Sequence, residues 1–128
     1  MREMSDAQRA LQFWSVLVFA AREQRVLSYS TIEQMTGMVK QGAGRPLGYI
    51  AAYCMRNELP LLNTLAVNQR GKPSPKFLED IDVVTQQAVF VFDWISRGAP
   101  KIQDLQDAYD WAQKNGKFQV AVATTSQQ

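Results

Sequence analysis

Few residues in this sequence could do chemistry, and the missing types decide as much as those present. There is no histidine among the 128 residues, which removes the commonest general base, a common zinc ligand and the side chain that titrates near neutrality. Cys54 is the one cysteine, so a zinc site is not expected. Carboxylates could still hold magnesium. Glu79, Asp80 and Asp82 cluster ahead of a helical stretch, where the helix dipole also favours acids. Asp104, Asp107 and Asp110 step by threes along another helix, away from Ile102 and Leu105, and read as a solvated face. Gly42-Ala43-Gly44 lacks the third glycine of a dinucleotide fingerprint, and no glycine string matches a Walker loop. The sequence therefore predicts no cofactor, no metal and no catalytic apparatus.

Charge offers more. Net charge is only +2, but it is unevenly spread. Residues 38–77 hold Lys40, Arg45, Arg56, Arg70, Lys72 and Lys76 against the single acid Glu58, for +5, and the remainder carries eight cations and eleven anions, for −3. A basic stretch of this kind attracts phosphate, and counterion release makes the attraction salt-sensitive. Gly42, Gly44 and Gly71 lie among these cations, where bare backbone lets N–H groups approach phosphate. The competing reading is a set of solvated cations balanced in space by acidic helices. Tyr49 and Tyr53, four residues apart, could stack on bases or simply pack with wet hydroxyls. Asn63 and Asn68 could read a base edge or serve turns and caps.

These residues must be positioned by a chain of ordinary globular balance, 46% hydrophobic and 20% charged, long enough to bury a core without staples. A lone cysteine suits a reducing compartment, and a cytoplasmic protein is expected. The longest apolar run, residues 13–21, is far short of the roughly 20 residues that span a bilayer. The charges ahead of it (Arg2, Glu3, Asp6, Arg9) cancel, unlike the positive start of a signal peptide. No membrane association is expected.

The periodicity predicts five helices. Ser5 and Gln8 have capping-box spacing, and Leu11, Trp14, Leu17, Val18 and Ala21 continue as a helix over 6–24. Phe13, Val16 and Phe19 lie off that stripe, so this helix should pack on more than one side. Residues 26–29 lean towards β. Ser30 and Glu33 suggest a second capping box before a short helix that Gly37 ends. Pro46 suits the first turn of a third helix reaching about Asn57, with Leu47, Ile50, Ala51 and Cys54 as its stripe and Cys54 buried. Leu65, Ala66 and Val67 suggest a strand, and residues 68–72 a turn. Ile81, Val84, Ala88, Val91 and Ile95 share a face of a fourth helix. Pro100 opens a fifth, with Ile102, Leu105, Tyr109 and Ala112 on one face. Residues 118–123 suggest a last strand and 124–128 a loose tail. Phe90 and Trp94, off the main stripe, and Trp111, beside the last, leave room for an exposed aromatic patch.

The ordered string Val26-Leu27-Ser28-Tyr29, Ile32, Thr36-Gly37, Gly44-Arg45, Leu47-Gly48, Leu59-Pro60-Leu61, Val67 and Gly71 resembles the winged-helix DNA-binding part of the alkylguanine-DNA alkyltransferases and the alkyltransferase-like proteins. It covers about 50 residues. The resemblance implies a helix-turn-helix set against the minor groove, with residues 47–57 as its recognition helix. Arg45 lies near the family's base-displacing arginine, and Arg70 and Lys72 lie in the wing. Where that family has Pro-Cys-His-Arg, this chain has Leu62-Asn63-Thr64-Leu65, which cannot perform thiolate alkyl transfer. Two further helices follow that the family does not lead one to expect.

The expected protein is thus mainly α, with about five helices, a small winged-helix-like centre and one or two short strands in a single domain. Its expected role is non-enzymatic nucleic-acid binding, to DNA first, through Lys40, Arg45, Tyr49, Tyr53, Arg56, Arg70, Lys72 and Lys76. The alternative is a protein-interaction module or a homodimer joined near Trp94 and Trp111.

Overall fold

The structure is a computed structural model, and it describes residues 4–38, 42–71 and 83–116. Among these are six α-helices and one two-stranded sheet. The mainly helical expectation holds.

Helix α1 spans Asp6–Arg22. The Ser5 hydroxyl accepts the Gln8 N–H, and the Gln8 side chain accepts the Ser5 N–H, closing the expected capping box. The helix stops at Arg22, two residues before the expected end, and Gln24 takes a positive φ of 55° in the turn that follows. Its two-sidedness is partial: Phe13 is buried, Val16 is half-buried and Phe19 is exposed.

Strand β1 is Leu27–Ser28 and leads directly into α2, Tyr29–Thr36. The cap is Ser28, not Ser30: its hydroxyl accepts the Thr31 N–H, so α2 begins before the expected capping box. Gly37 ends α2 at φ 72°, a conformation glycine adopts without a Cβ penalty. Arg9 ties α1 to this end by donating to the Thr36 carbonyl.

Helix α3 spans Gly44–Arg56 and begins two residues before the expected start. Pro46 still lies in the first turn, where no intrahelical acceptor awaits its missing N–H. A 3-10 turn at Leu62–Leu65 takes up part of the expected strand, leaving β2 as Ala66–Val67. The strands pair in parallel, Leu27 with Ala66 and Ser28 with Val67.

The predicted fourth helix is two. Helix α4 is Val83–Val91, and α5 is a single turn, Trp94–Arg97, capped by Asp93. The break turns Trp94 inward. It is 3% exposed, its indole N–H donates to the Val89 carbonyl, and its ring meets Trp14 edge-on at 5.5 Å. Val91 and Ile95, expected on the buried face, are 77% and 61% exposed. Ala88 is exposed as well.

Helix α6, Ile102–Lys114, buries Leu105, Ala108 and Ala112 and leaves Asp104, Asp107 and Asp110 exposed, as expected. Ile102 is exposed, and Tyr109 is half-buried. A single core gathers side chains from every helix except α5's exposed residues, with Trp14, Phe13, Leu17, Ile32, Leu47, Ile50, Leu62, Leu65 and Leu105 at its centre. The suggested strand at 118–123, the tail at 124–128 and the acids Glu79, Asp80 and Asp82 lie outside the described residues.

Candidate functional site

Helix α3 is the element on which the predicted site depends, and it packs against both α1 and α6, which also meet each other. Its sequence explains why. Leu47 and Ile50 face one side, and the small residues Gly48, Ala51, Ala52 and Cys54 allow neighbours to come close; all are buried. The backbone at Gly48 lies near Tyr109 of α6: a Cβ placed there would stand 3.7 Å from that ring, in ordinary contact. The middle of the expected recognition helix is therefore covered by a helix outside the resemblance, and only the two ends of α3 reach the surface.

Tyr49 and Tyr53 are correspondingly placed in packing. Tyr49 is 5% exposed and its ring stacks on Tyr109 at 4.0 Å and 7°. Burial raises its hydroxyl pKa above the ordinary tyrosine value, with the Asp6 charge adding to the shift. Tyr53 is 6% exposed and meets Trp14 edge-on at 5.5 Å. Its hydroxyl accepts a 2.8 Å hydrogen bond from Arg97, whose guanidinium also lies over the ring. A base could stack on these rings only after α6 or α5 had moved, so the base-stacking role is replaced by a structural one. Asn63 is likewise fully buried beside Thr64 and cannot read a base edge in this fold. Cys54 is buried, and desolvation pushes its thiol up to about 12, as expected of an inert packing residue.

At the N-terminal end, Arg45 projects from the first turn with 70% of its side chain exposed. Its Nε donates to the Asp6 carboxylate of α1 at 2.8 Å, which also raises the guanidinium pKa further above its ordinary value. Among the described residues, no side chain caps α3. Beside this end, among the described residues, runs a groove of about 710 Å3. Ser28, Tyr29 and Ser30 contribute one wall, Ala43 and Gly44 another, and Asn68, Gln69 and Arg70 a third; Glu33 supplies its single carboxylate. The parallel pairing of β1 and β2 builds this groove, because both strands run towards it and hand over to α2 and to the turn at 68–71. That turn is held by the Gly71 N–H donating to the Asn68 carbonyl, with Gly71 at φ 76°, and by the Arg70 N–H donating to the Asn68 side chain. Asn68 thus serves the turn, and Arg70 is exposed on it.

At the other end, Arg56 is exposed and lies over the Trp111 ring at 5.9 Å. It lines a shallow cleft of about 480 Å3 with Tyr53, Asn57, Asp104 and Asp107. The two carboxylates there oppose phosphate, so Arg56 stands apart from the basic end. Of the predicted cations, Arg70 lines the groove, Arg45 follows Gly44 of its wall but holds its side chain on Asp6, Arg56 stands apart at the far end of α3, and Lys40, Lys72 and Lys76 lie outside the described residues. No group of three or more metal-ligating side chains gathers among the described residues. No helix among them is long and apolar enough to cross a membrane. The sequence reading missed Asp6 as the partner of Arg45; nothing in the spacing signals a contact across 39 residues. Comparison with family models, with curated proteins and with solved structures finds no match to this chain.

Proposed function

We propose that this protein is a non-enzymatic, cytoplasmic nucleic-acid-binding domain that grips the phosphate backbone of DNA at the N-terminal end of α3. The observation that carries the reading is the groove beside the start of α3, lined by Arg70 and by Gly44, with the exposed Arg45 next to Gly44 in the chain, all within the one segment of the sequence that is strongly basic. Cations and a helix start are suited to phosphate. Contacts of this kind position a duplex without reading its bases, which agrees with the burial of Tyr49, Tyr53 and Asn63. Lys40, Lys72 and Lys76 belong to the same basic segment and extend the proposed contact set. The resemblance to the alkyltransferase-like proteins supports the same end of α3, but here it enters as a contact edge rather than as a helix laid along a groove.

The test is a fluorescence-anisotropy titration of labelled 20-base-pair DNA at several salt concentrations. Binding should weaken steeply with salt, and Arg70→Ala should flatten the log–log slope by about 0.9 while weakening all sequences alike. A loss confined to one sequence would refute a backbone grip.

A further inference from the structure

Asp6 is the residue whose position the proposed function does not explain. It stands in the first turn of α1, where an acid suits the helix dipole, yet its carboxylate is turned onto Arg45, the cation in the first turn of α3. The bond uses only the Nε edge of the guanidinium, and no other hydrogen-bond acceptor meets Arg45 among the described residues. The pair is solvent-accessible, 70% exposed on the arginine side and 34% on the aspartate side. Ion pairs this wet are weak and exchange readily.

We infer that Asp6 is an affinity-setting residue: an internal competitor that occupies Arg45 until phosphate displaces it. The inference rests on the reading of α3's N-terminal end as a phosphate contact. A phosphate arriving at Arg45 meets a carboxylate already there. Binding must either displace Asp6 or accept a like charge within a few ångströms, and both outcomes weaken it. Counterion release is blunted too. When Arg45 turns to phosphate it frees one ion from the nucleic acid, while the vacated carboxylate gathers a cation of its own. The native protein therefore shows a shallower salt dependence than its basic residues alone would give.

The experiment is a double-mutant cycle on the full chain with Asp6→Asn, Arg45→Ala and the pair together, using the same labelled 20-base-pair DNA over a salt series. Asp6→Ser serves as a second variant, and far-ultraviolet circular dichroism checks that each protein is folded. The expected result is binding up to about fivefold tighter for Asp6→Asn, with a slope steeper by about 0.9, and both gains abolished when Arg45 is alanine. Unchanged affinity and slope in both Asp6 variants, with the native protein binding normally, would overturn this inference and leave the proposed function standing. An equal gain with and without Arg45 would overturn it also, because bulk charge would then be the cause. Failure of native and variant proteins alike to bind would overturn both.

Discussion

Arg45, Tyr49 and Tyr53 follow one another at four-residue steps along the same face of α3, and they end in different surroundings. Arg45 is open to solvent and, among the described residues, its guanidinium is held by Asp6. Tyr49, one turn on, is sealed beneath Tyr109, and Tyr53 is enclosed by Trp14 and Arg97. Nothing intrinsic to α3 separates them. The difference is made by what α6, α5 and α1 lay over them, so one helical stripe is exposed at its first turn and core thereafter. A cation or an aromatic ring in a basic segment acquires a role only when the element covering it is known.

The largest expected effect comes from that covering layer. Trp94→Ala should cost about 3–5 kcal/mol in denaturant unfolding, the range for a buried aromatic ring, with no change in oligomeric state by light scattering. A mild effect would return Trp94 to the surface patch that the sequence suggested. Tyr109→Ala should cost about 1–3 kcal/mol, because it removes the stack on Tyr49 and opens the gap above Gly48. Tyr49→Phe keeps that stack and should leave DNA binding unchanged; a clear loss of affinity would show that its hydroxyl is used and erase the contrast with Arg45. Gly48→Ala should be neutral to stabilising by up to about 1 kcal/mol, since the added methyl meets Tyr109 at ordinary contact distance and alanine favours the helix. Destabilisation would mean that α6 sits closer to α3 than described.

Smaller effects concern titration. Cys54, with its pKa raised to about 12, should resist a thiol reagent at pH 8 in the folded protein and react at once in denaturant. Asp93 has its pKa lowered, chiefly because its carboxylate accepts a hydrogen bond from Ser96. Its contribution to stability is present above the ordinary carboxylate pKa and disappears as the pH falls through the lowered value. Asp93→Asn should therefore flatten the acid side of the stability profile slightly, with its small difference from the native protein present above the ordinary carboxylate pKa and vanishing at acid pH.

Much of the frame was legible because it is local. The Ser5–Gln8 box, the left-handed Gly37 and the placing of Leu105 and Ala112 on one buried face each act within a turn or two, and sequence spacing records them directly. The fourth helix was misjudged because its periodic residues run smoothly through a break. Asp93 caps a new turn, and Trp94 is drawn inward by Trp14, which lies 80 residues away in the chain. The small residues Gly48, Ala51, Ala52 and Cys54 let α3 pack closely on more than one side, where the sequence reading took only the single stripe of Leu47, Ile50, Ala51 and Cys54, and residue size alone cannot name the neighbour. The Asp6–Arg45 pair and the groove at the strand ends are tertiary products, invisible to spacing because each joins segments that fold independently of one another.

The central claim is that the N-terminal end of α3, and not its face, contacts nucleic-acid phosphate. Its most direct test is the salt-dependent titration of 20-base-pair DNA with the native protein, Arg45→Ala and Tyr49→Phe side by side. The account predicts binding that falls steeply with salt, weaker binding by Arg45→Ala at every salt concentration, and a Tyr49→Phe curve that overlays the native one. No binding by the native protein even at low salt, or a loss in Tyr49→Phe with none in Arg45→Ala, would contradict it.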